Sequence, residues 1–291
     1  MQIPEIKHHV GLVMEGGGMR GLFTAGVIDV LMEHGINFPC SVGVSAGACF
    51  GINIKSLQPG RVLRYNLQMI GNPEYMSFRS LLKTGNYANA EFCYHTLPME
   101  IDIFDKETYR KMPTKFYVVC TDIDSGEPVY HEMTKIDYQE LEWLRASASL
   151  PIVAQPVELD GKRLMDGGLS DSIPLQFIQQ LGYRKNIVIL TQPLGYRKKP
   201  AKAAGLYRCL LRKYPSLIEL LKHRPAMYNS ELDYVEEQAR LGHVLLLAPP
   251  QKLDIGRMEQ HPKKLQRCYD WGREVAESQL GNILSFLTDN Q

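Results

Sequence analysis

The chain has 291 residues, of which 44% are hydrophobic, and its formal net charge at pH 7 is +1. This length and apolar content suffice for one large globular domain with an appendage, and the near-neutral charge argues against nucleic acid as a partner. The N-terminus lacks the apolar core of a secretory signal, and no apolar run approaches the roughly 20 residues of a membrane span, so a cytoplasmic location is expected.

The cysteines predict neither a disulfide framework nor a metal site. None belongs to a C-x-x-C pair or shows metal-ligand spacing, which favours reduced thiols buried in the core. They are six in number: Cys40, Cys49, Cys93, Cys120, Cys209 and Cys268.

The first predicted element is a strand at 10–14, and a glycine-rich turn, GGGMRG, follows it at residues 16–21. A helix predicted over 21–34 begins there and ends at Gly35. Glycine amides at a helix start can point toward one anion, which beside a nucleophile would be the oxyanion of an acyl-transfer intermediate. The candidate oxyanion hole comprises Gly16, Gly17, Gly18, Arg20 and Gly21, with Arg20 either binding a lipid phosphate or holding the loop.

The second predicted strand, at 39–44, leads directly into Ser45. The sequence GVSAG places this serine between Gly43 and Gly47, as in a nucleophile elbow, where small neighbours let a strained strand-to-helix turn close. The next helix is predicted to start at Ser45, so that its dipole points at the nucleophile.

Further strands are predicted at 115–121 and 128–132, and a hairpin is predicted at 155–165 with its turn at Asp160-Gly161. Asp166, Gly167 and Gly168 follow this hairpin directly. An aspartate before two glycines is by default a turn residue. Together with a serine elbow and an oxyanion loop, Asp166 becomes a candidate general base.

The composition changes at residue 193, after which the chain is predicted to be mostly helical apart from a strand at 243–247; a last helix is predicted at 262–287. A further strand at 186–191 belongs to the first part of the chain. Residues 197–224 contain nine lysines and arginines but one acid, Glu219, with leucines near helical spacing. Such a basic amphipathic segment is either a solvated helix packed on the first part of the chain or a contact with anionic lipid headgroups.

The motifs GGGMRG, GVSAG and DGG, in this order, resemble those of the patatin-like phospholipase family. The segment RASASLP at 145–151 and Ile173-Pro174 are also similar to that family, and the resemblance covers residues 10–192. It implies a catalytic dyad of Ser45 and Asp166 without histidine, supported by Gly43, Gly47, Gly167 and Gly168. Ser172 stands where members often carry asparagine, which leaves the local structure after the DGG open.

Two other enzyme classes remain as alternatives. Gly16, Gly18 and Gly21 satisfy the G-x-G-x-x-G spacing of a dinucleotide-binding oxidoreductase, but the second strand ends in Ser45 rather than in an acidic residue. Glu33 belongs to the end of the first helix, where the ribose of a dinucleotide could not reach it. A Ser-His-Asp triad esterase would need a late histidine, and His223, His243 and His261 carry no loop signature.

The alternation of strands and helices predicts an α/β fold, a three-layer α/β/α sandwich with a mostly parallel central sheet. We expect a hydrolase domain at 8–192 and a mainly helical C-terminal extension at 193–291. The expected function is that of a lipid acyl hydrolase of the phospholipase A, lysophospholipase or carboxylesterase type, without cofactor or metal. The partner is a lipid or acyl ester, and residues 197–224 are the candidate contact with the inner membrane surface.

Overall fold

A computed structural model describes residues 3–200 and 210–289, and its centre is an eight-stranded sheet. The strands follow the order β5-β6-β3-β2-β1-β7-β8, with β4 paired to β3. β3, β2, β1, β7 and β8 are parallel, whereas β4 and β6 run antiparallel to β3 and β5 runs antiparallel to β6. The strands are β1 Val10–Met14, β2 Cys40–Val44, β3 Lys115–Asp122, β4 Pro128–Glu132, β5 Val157–Leu159, β6 Lys162–Asp166, β7 Lys185–Ile189 and β8 Val244–Leu247.

Helices cover both faces of this sheet. They are α1 Leu22–Glu33, α2 Ala46–Gly51, α3 Asn53–Ser56, α4 Arg61–Gln68, α5 Phe78–Thr84, α6 Lys106–Lys111, α7 Tyr138–Ser147, α8 Leu175–Gln180, α9 Pro215–Arg240, α10 Pro262–Ser278 and α11 Leu280–Thr288. A π-helix spans Phe92–Ile101, and 3-10 turns span Gly18–Gly21 and Gly167–Leu169. Within the described ranges, no helix combines the length and apolarity that crossing a bilayer requires.

The side chains of β1 explain the three layers, because successive residues of a strand point to opposite faces. Leu12 and Met14 pack into a core shared with α1 and α10, whereas Val13 packs into a second core shared with α8 and α9. The central strands are buried on both faces, as expected for a parallel sheet between helices. The predicted α/β sandwich with a mostly parallel sheet and a helical C-terminal region is confirmed.

Residues on the two sides of position 193 share one sheet and one core. β8 pairs in parallel with β7, and α10 packs along α1, where Tyr269 donates a hydrogen bond to Asp29 at 2.6 Å. The predicted last helix is two helices, because the chain turns at Gln279, whose N–H closes α10 on Val275 and Ala276. The strand predicted at 186–191 ends at 189.

Two glycines allow α1 and α10 to approach closely. A Cβ at Gly26 would lie 2.1 Å from the carbonyl oxygen of Tyr269, and one at Gly272 would lie 2.0 Å from that of Phe23. Backbone atoms on both sides leave no flexible group to move aside. The C-terminal region is therefore held against the first helix by backbone-to-backbone contact.

Gly26→Ala is expected to destabilise the protein by about 1–3 kcal/mol, because an added methyl group forces the two helices apart. Thermal unfolding should show a melting temperature lower by several degrees, since roughly 2–4 °C corresponds to 1 kcal/mol at this size. Gly281→Ala is the matched control: it is also helical, and its added Cβ would meet nothing within 4 Å. Equal melting temperatures of the two variants would contradict the close approach.

Candidate active site

Ser45 occupies a strained turn between β2 and α2. Its φ of 54° and ψ of −121° lie in a region that residues with side chains rarely adopt. The glycines beside it are needed sterically, since a Cβ at Gly43 would lie 2.4 Å from the oxygen of Gly47, and one at Gly47 would lie 2.3 Å from that of Met14. The turn therefore has the backbone geometry of a nucleophile elbow.

The sheet register brings Ser45 and Asp166 toward the same point. β4 and β6 both pair with β3 at Cys120, so they lie on opposite edges of that strand. β2 also lies opposite β4, because both strands pair with the same residues of β3. β2 and β6 therefore lie one after the other along the same edge of β3, with Val44 opposite Val119 and Asp166 opposite Cys120. Because β2 and β6 run in opposite directions, their carboxyl ends meet, which the sequence signal for each strand alone does not reveal.

Asp166 is buried, with 2% of its surface exposed, and its two oxygens differ in their partners. Oδ1 accepts a hydrogen bond from the N–H of Gly168 at 2.8 Å, whereas Oδ2 has no partner in the described part of the chain. Ser45 and Asp166 line one cavity but are not hydrogen-bonded to each other in this structure. Oδ1 is thus held in place, while Oδ2 is available to accept a proton. Hydrogen bonds between catalytic groups often form or tighten only when substrate binds.

The end of α7 fixes both of these residues. Ser147 accepts a hydrogen bond from the N–H of Ser45 at 2.8 Å and donates one to the carbonyl oxygen of Val119 at 2.6 Å. The carbonyl oxygen of Ser149 accepts a hydrogen bond from the N–H of Asp166 at 2.9 Å. These contacts assign a physical role to the segment at 145–151, which was marked only by its resemblance to the family.

The glycine loop lies directly over Ser45. A Cβ at Gly16 would lie 2.9 Å from the Cβ of Ser45, and Gly18 has a positive φ of 58°. In the described ranges, the N–H groups of Gly16, Gly17 and Gly18 have no protein acceptor. Gly21 lies apart from the cavity and allows Ala46 to pack closely. Three amides are therefore free beside the hydroxyl, as an oxyanion hole requires.

Residues distant in sequence hold this loop in place. The carbonyl oxygen of Arg257 accepts a hydrogen bond from the N–H of Met19 at 3.0 Å. Glu15 accepts hydrogen bonds from the N–H of Thr191 at 2.6 Å and from the hydroxyl of Tyr228 at 2.7 Å. The Thr191 hydroxyl donates to the carbonyl oxygen of Gly16 at 3.1 Å. Sequence reasoning missed these residues, because no local pattern marks them.

Two cavities meet at Ser45. The first has a volume of about 190 Å³ and is mostly apolar; it is lined by residues that include Phe50, Leu97, Phe104 and Leu144. The second is polar and contains Asp166, Arg20 and the glycine loop. Gly18, Ser45, Leu150 and Arg257 line both. The Ser45 hydroxyl thus lies at the boundary between an apolar cavity and a charged one.

No histidine lines either cavity in the described part of the chain. His223 is exposed and near Glu219, His243 bonds Gln238, and His261 precedes α10. This placement speaks against a triad with one of the late histidines.

The dinucleotide alternative also lacks its acidic residue. Glu33, at the end of α1, forms an ion pair with Arg273 on the surface. Residues 3–200 and 210–289 hold no cluster of three or more potential metal ligands.

The basic segment at 197–224 lies partly outside the described residues, including Lys202, Leu206 and Arg208. In the described part, Leu211 and Leu217 are buried against Ile123, Met165 and Leu169. Arg197 is paired with Asp233 and Glu236, and Lys198 and Arg224 line the polar cavity. Several described side chains of the segment therefore face the part of the chain before residue 193, whereas Lys199, Arg212 and Lys213 are exposed.

The structure after the DGG is defined although asparagine is absent there. Ser172 donates a hydrogen bond from its hydroxyl to the carbonyl oxygen of Gly168 at 3.0 Å, and its N–H donates to Glu231 at 3.1 Å. Tyr130 donates to Asp171 at 2.7 Å. The turn that carries Asp166 is thus tied to α9.

A serine elbow that opens onto an apolar cavity, on this kind of sheet, is characteristic of lipid acyl hydrolases. The sequence model described as patatin-like phospholipase matches residues 12–177, more than half of the chain. The chain therefore belongs to the patatin-like phospholipase family. A second model, described as a domain of unknown function (DUF6363), matches residues 214–288.

Three relatives and one solved structure are similar to this chain. The Escherichia coli (strain K12) protein "Uncharacterized protein YjjU" is 26% identical over 291 residues, covering 96% of this chain and 79% of that protein. An uncharacterized NTE family protein of Mycobacterium tuberculosis is 28% identical, covering 67% of this chain and 52% of its own. Lysophospholipase NTE1 of Cryptococcus neoformans is 27% identical, and the match covers 62% of this chain and 11% of that protein. The crystal structure of VipD from Legionella pneumophila aligns with a TM-score of 0.47 and 13% identity, and the alignment covers 94% of this chain and 67% of that chain.

Proposed function

We propose that the protein hydrolyses fatty-acyl esters of lipids through a Ser45-Asp166 dyad. The observation that carries this proposal is the position of Ser45, on a strained elbow where an apolar cavity meets the cavity that contains Asp166 and the free glycine amides. The family assignment and the name of the lysophospholipase relative support a lipid as the acyl donor.

The reaction follows from the hydrogen-bonding state of each group. Asp166 Oδ2, which has no partner, accepts the proton of the Ser45 hydroxyl as Oγ bonds to the ester carbon. The amides of Gly17 and Gly18 bind the oxyanion, an interaction for which one donor contributes about 2.7–4 kcal/mol in a comparable site. The carbon–oxygen bond to the alcohol then breaks, and the alcohol leaves with the proton from Asp166. Water cleaves the acyl-enzyme in the same way and releases the fatty acid.

An acyl chain in the apolar cavity makes the rate depend on chain length. Each buried methylene contributes about 0.8 kcal/mol, so kcat/KM of p-nitrophenyl esters should rise about fourfold per methylene from acetate until the cavity is full. Steady-state assays with the Ser45→Ala protein as background test this. Equal kcat/KM for acetate and octanoate would contradict the use of this cavity for the acyl chain.

A second part of the proposal concerns the membrane surface at which the protein binds its lipid substrate. The exposed Lys199, Arg212 and Lys213 favour peripheral contact with anionic headgroups, at about 1 kcal/mol per basic residue near the surface. Sedimentation with liposomes of increasing anionic lipid content tests this contact. Binding that depends neither on the anionic lipid content nor on the salt concentration would rule it out.

A further inference from the structure

Four basic side chains converge on the polar cavity beside Ser45. They are Arg20, Lys198, Arg224 and Arg257, and the acidic residues lining the same cavity are Glu15 and Asp166. The basic side chains outnumber the acidic ones by two. Arg20, Lys198 and Arg224 are half-buried, whereas Arg257 is exposed. Cations withdrawn from water are normally paired, so this excess calls for a ligand.

No carboxylate in the described ranges forms an ion pair with any of these four cations. Both oxygens of Glu15 are already hydrogen-bonded to Thr191 and Tyr228. Burial and the neighbouring Asp171 raise the pKa of Glu231, close behind the cavity, to about 9, which disfavours its charged form. The Nε atom of Arg20 is buried without a hydrogen-bond partner in the described part of the chain.

The cations also repel one another. Burial, reinforced by Arg224 and Arg257, lowers the pKa of Lys198 to about 7. Burial lowers the pKa of Arg20 and of Arg224 as well, and repulsion from Arg257 contributes to both shifts. An anion placed among these groups would relieve this repulsion.

The position of the cluster indicates which part of a substrate it faces. Arg257 and Ser45 line both cavities, whereas Arg20, Lys198 and Arg224 line only the polar one. An ester with its acyl chain in the apolar cavity would place its alcohol part in the polar one. A negative charge on that alcohol would then lie among the cations.

We infer that Lys198, Arg224 and Arg257 form, with Arg20, an anion subsite for the leaving group, which selects acyl esters whose alcohol carries a phosphate. This inference rests on the proposed function. Planar guanidinium groups suit the several oxygens of a phosphate, which they bind through charge-assisted hydrogen bonds.

The subsite also gives a role to the C-terminal region. Arg224 and Arg257 lie within residues 214–288, the part that matches the domain of unknown function, and Lys198 lies between the two matched regions. The backbone of Arg257 supports the glycine loop as well. The C-terminal region thus completes the active site by supplying both a wall and its charge.

The test compares two esters that share an acyl chain and differ by one phosphate, oleoyl lysophosphatidic acid and monoolein. Wild-type protein should show a kcat/KM at least about 10-fold higher for the phosphorylated ester. Arg257→Gln should lower that ratio about 10- to 100-fold, the value of one charge-assisted hydrogen bond. Arg257→Lys should restore part of it. Lys252→Gln, which removes an exposed charge from the same loop and lines neither cavity, should leave the ratio unchanged.

A ratio that is the same in Arg257→Gln and wild type would overturn the subsite. Should Arg257→Gln fail to fold, Lys198→Gln provides the same comparison. Wild-type protein that hydrolyses neither ester would refute the proposed function instead, and the subsite is then judged by binding: glycerol 3-phosphate should raise the melting temperature of wild type by a few degrees, but not that of the variant. Stabilisation by inorganic phosphate with no preference between the esters would assign the cluster to free phosphate and overturn the leaving-group role.

Discussion

Ser45→Ala is expected to lower ester hydrolysis on the order of 10⁴-fold or more, because the covalent route through the acyl-enzyme is lost. Alanine removes only the Oγ atom and meets the same backbone strain at φ 54°, so the fold and melting temperature should be retained. The N–H of residue 45 would still donate to Ser147. The loss would therefore report on chemistry rather than on structure.

A fluorophosphonate probe separates the nucleophile from other hydroxyls. It should label wild-type protein at the peptide containing Ser45 and leave Ser45→Ala unlabelled, as measured by mass spectrometry. Ser41→Ala is a close control, since Ser41 lies in β2, the buried strand that leads to Ser45, and its hydroxyl has no hydrogen-bond partner in the described part of the chain. This control should keep full activity and labelling. Labelling of Ser45→Ala equal to that of wild type would refute the dyad.

The elements that were predictable from sequence are those with local signals. The alternation of apolar runs located the strands, and glycines that permit close approach marked both the loop at 16–18 and the elbow at Ser45. In each case a few neighbouring residues determine the backbone. The dyad residues remain predictions, although the structure places Ser45 and Asp166 on one cavity.

What escaped prediction depends on contacts between distant segments. Ser147 meets Ser45 from 102 positions away, and Tyr228 meets Glu15 from 213 positions away. A lone serine or tyrosine within a helix carries no mark of such a partner. The charge of Arg224 was predicted to belong to a solvated or lipid-facing segment, and no sequence pattern marked Arg257. Only the packing of the C-terminal region brings both side chains to the cleft.

Asp166→Asn is expected to reduce kcat by about 10³-fold or more while leaving the protein folded. The asparagine carbonyl can still accept the hydrogen bond from Gly168, so the turn is preserved. The amide NH₂ would replace Oδ2, however, and a donor cannot take the proton of Ser45. The uncompensated charge of Arg224, which Asp166 attracts, would be the main cost in stability.

Asp160→Asn makes the comparison specific, because Asp160 lies in the turn of the same hairpin and lines neither cavity. Asparagine tolerates the positive φ of 50° found there, so activity and stability should match wild type. Fluorophosphonate labelling of Asp166→Asn should be slow but still at Ser45, since the hydroxyl remains without its base. Turnover within tenfold of wild type in Asp166→Asn, together with its loss on replacing His223, His243 or His261, would instead establish a histidine as the base. That result would require one of these surface histidines to reach a cavity that none of them lines in this structure.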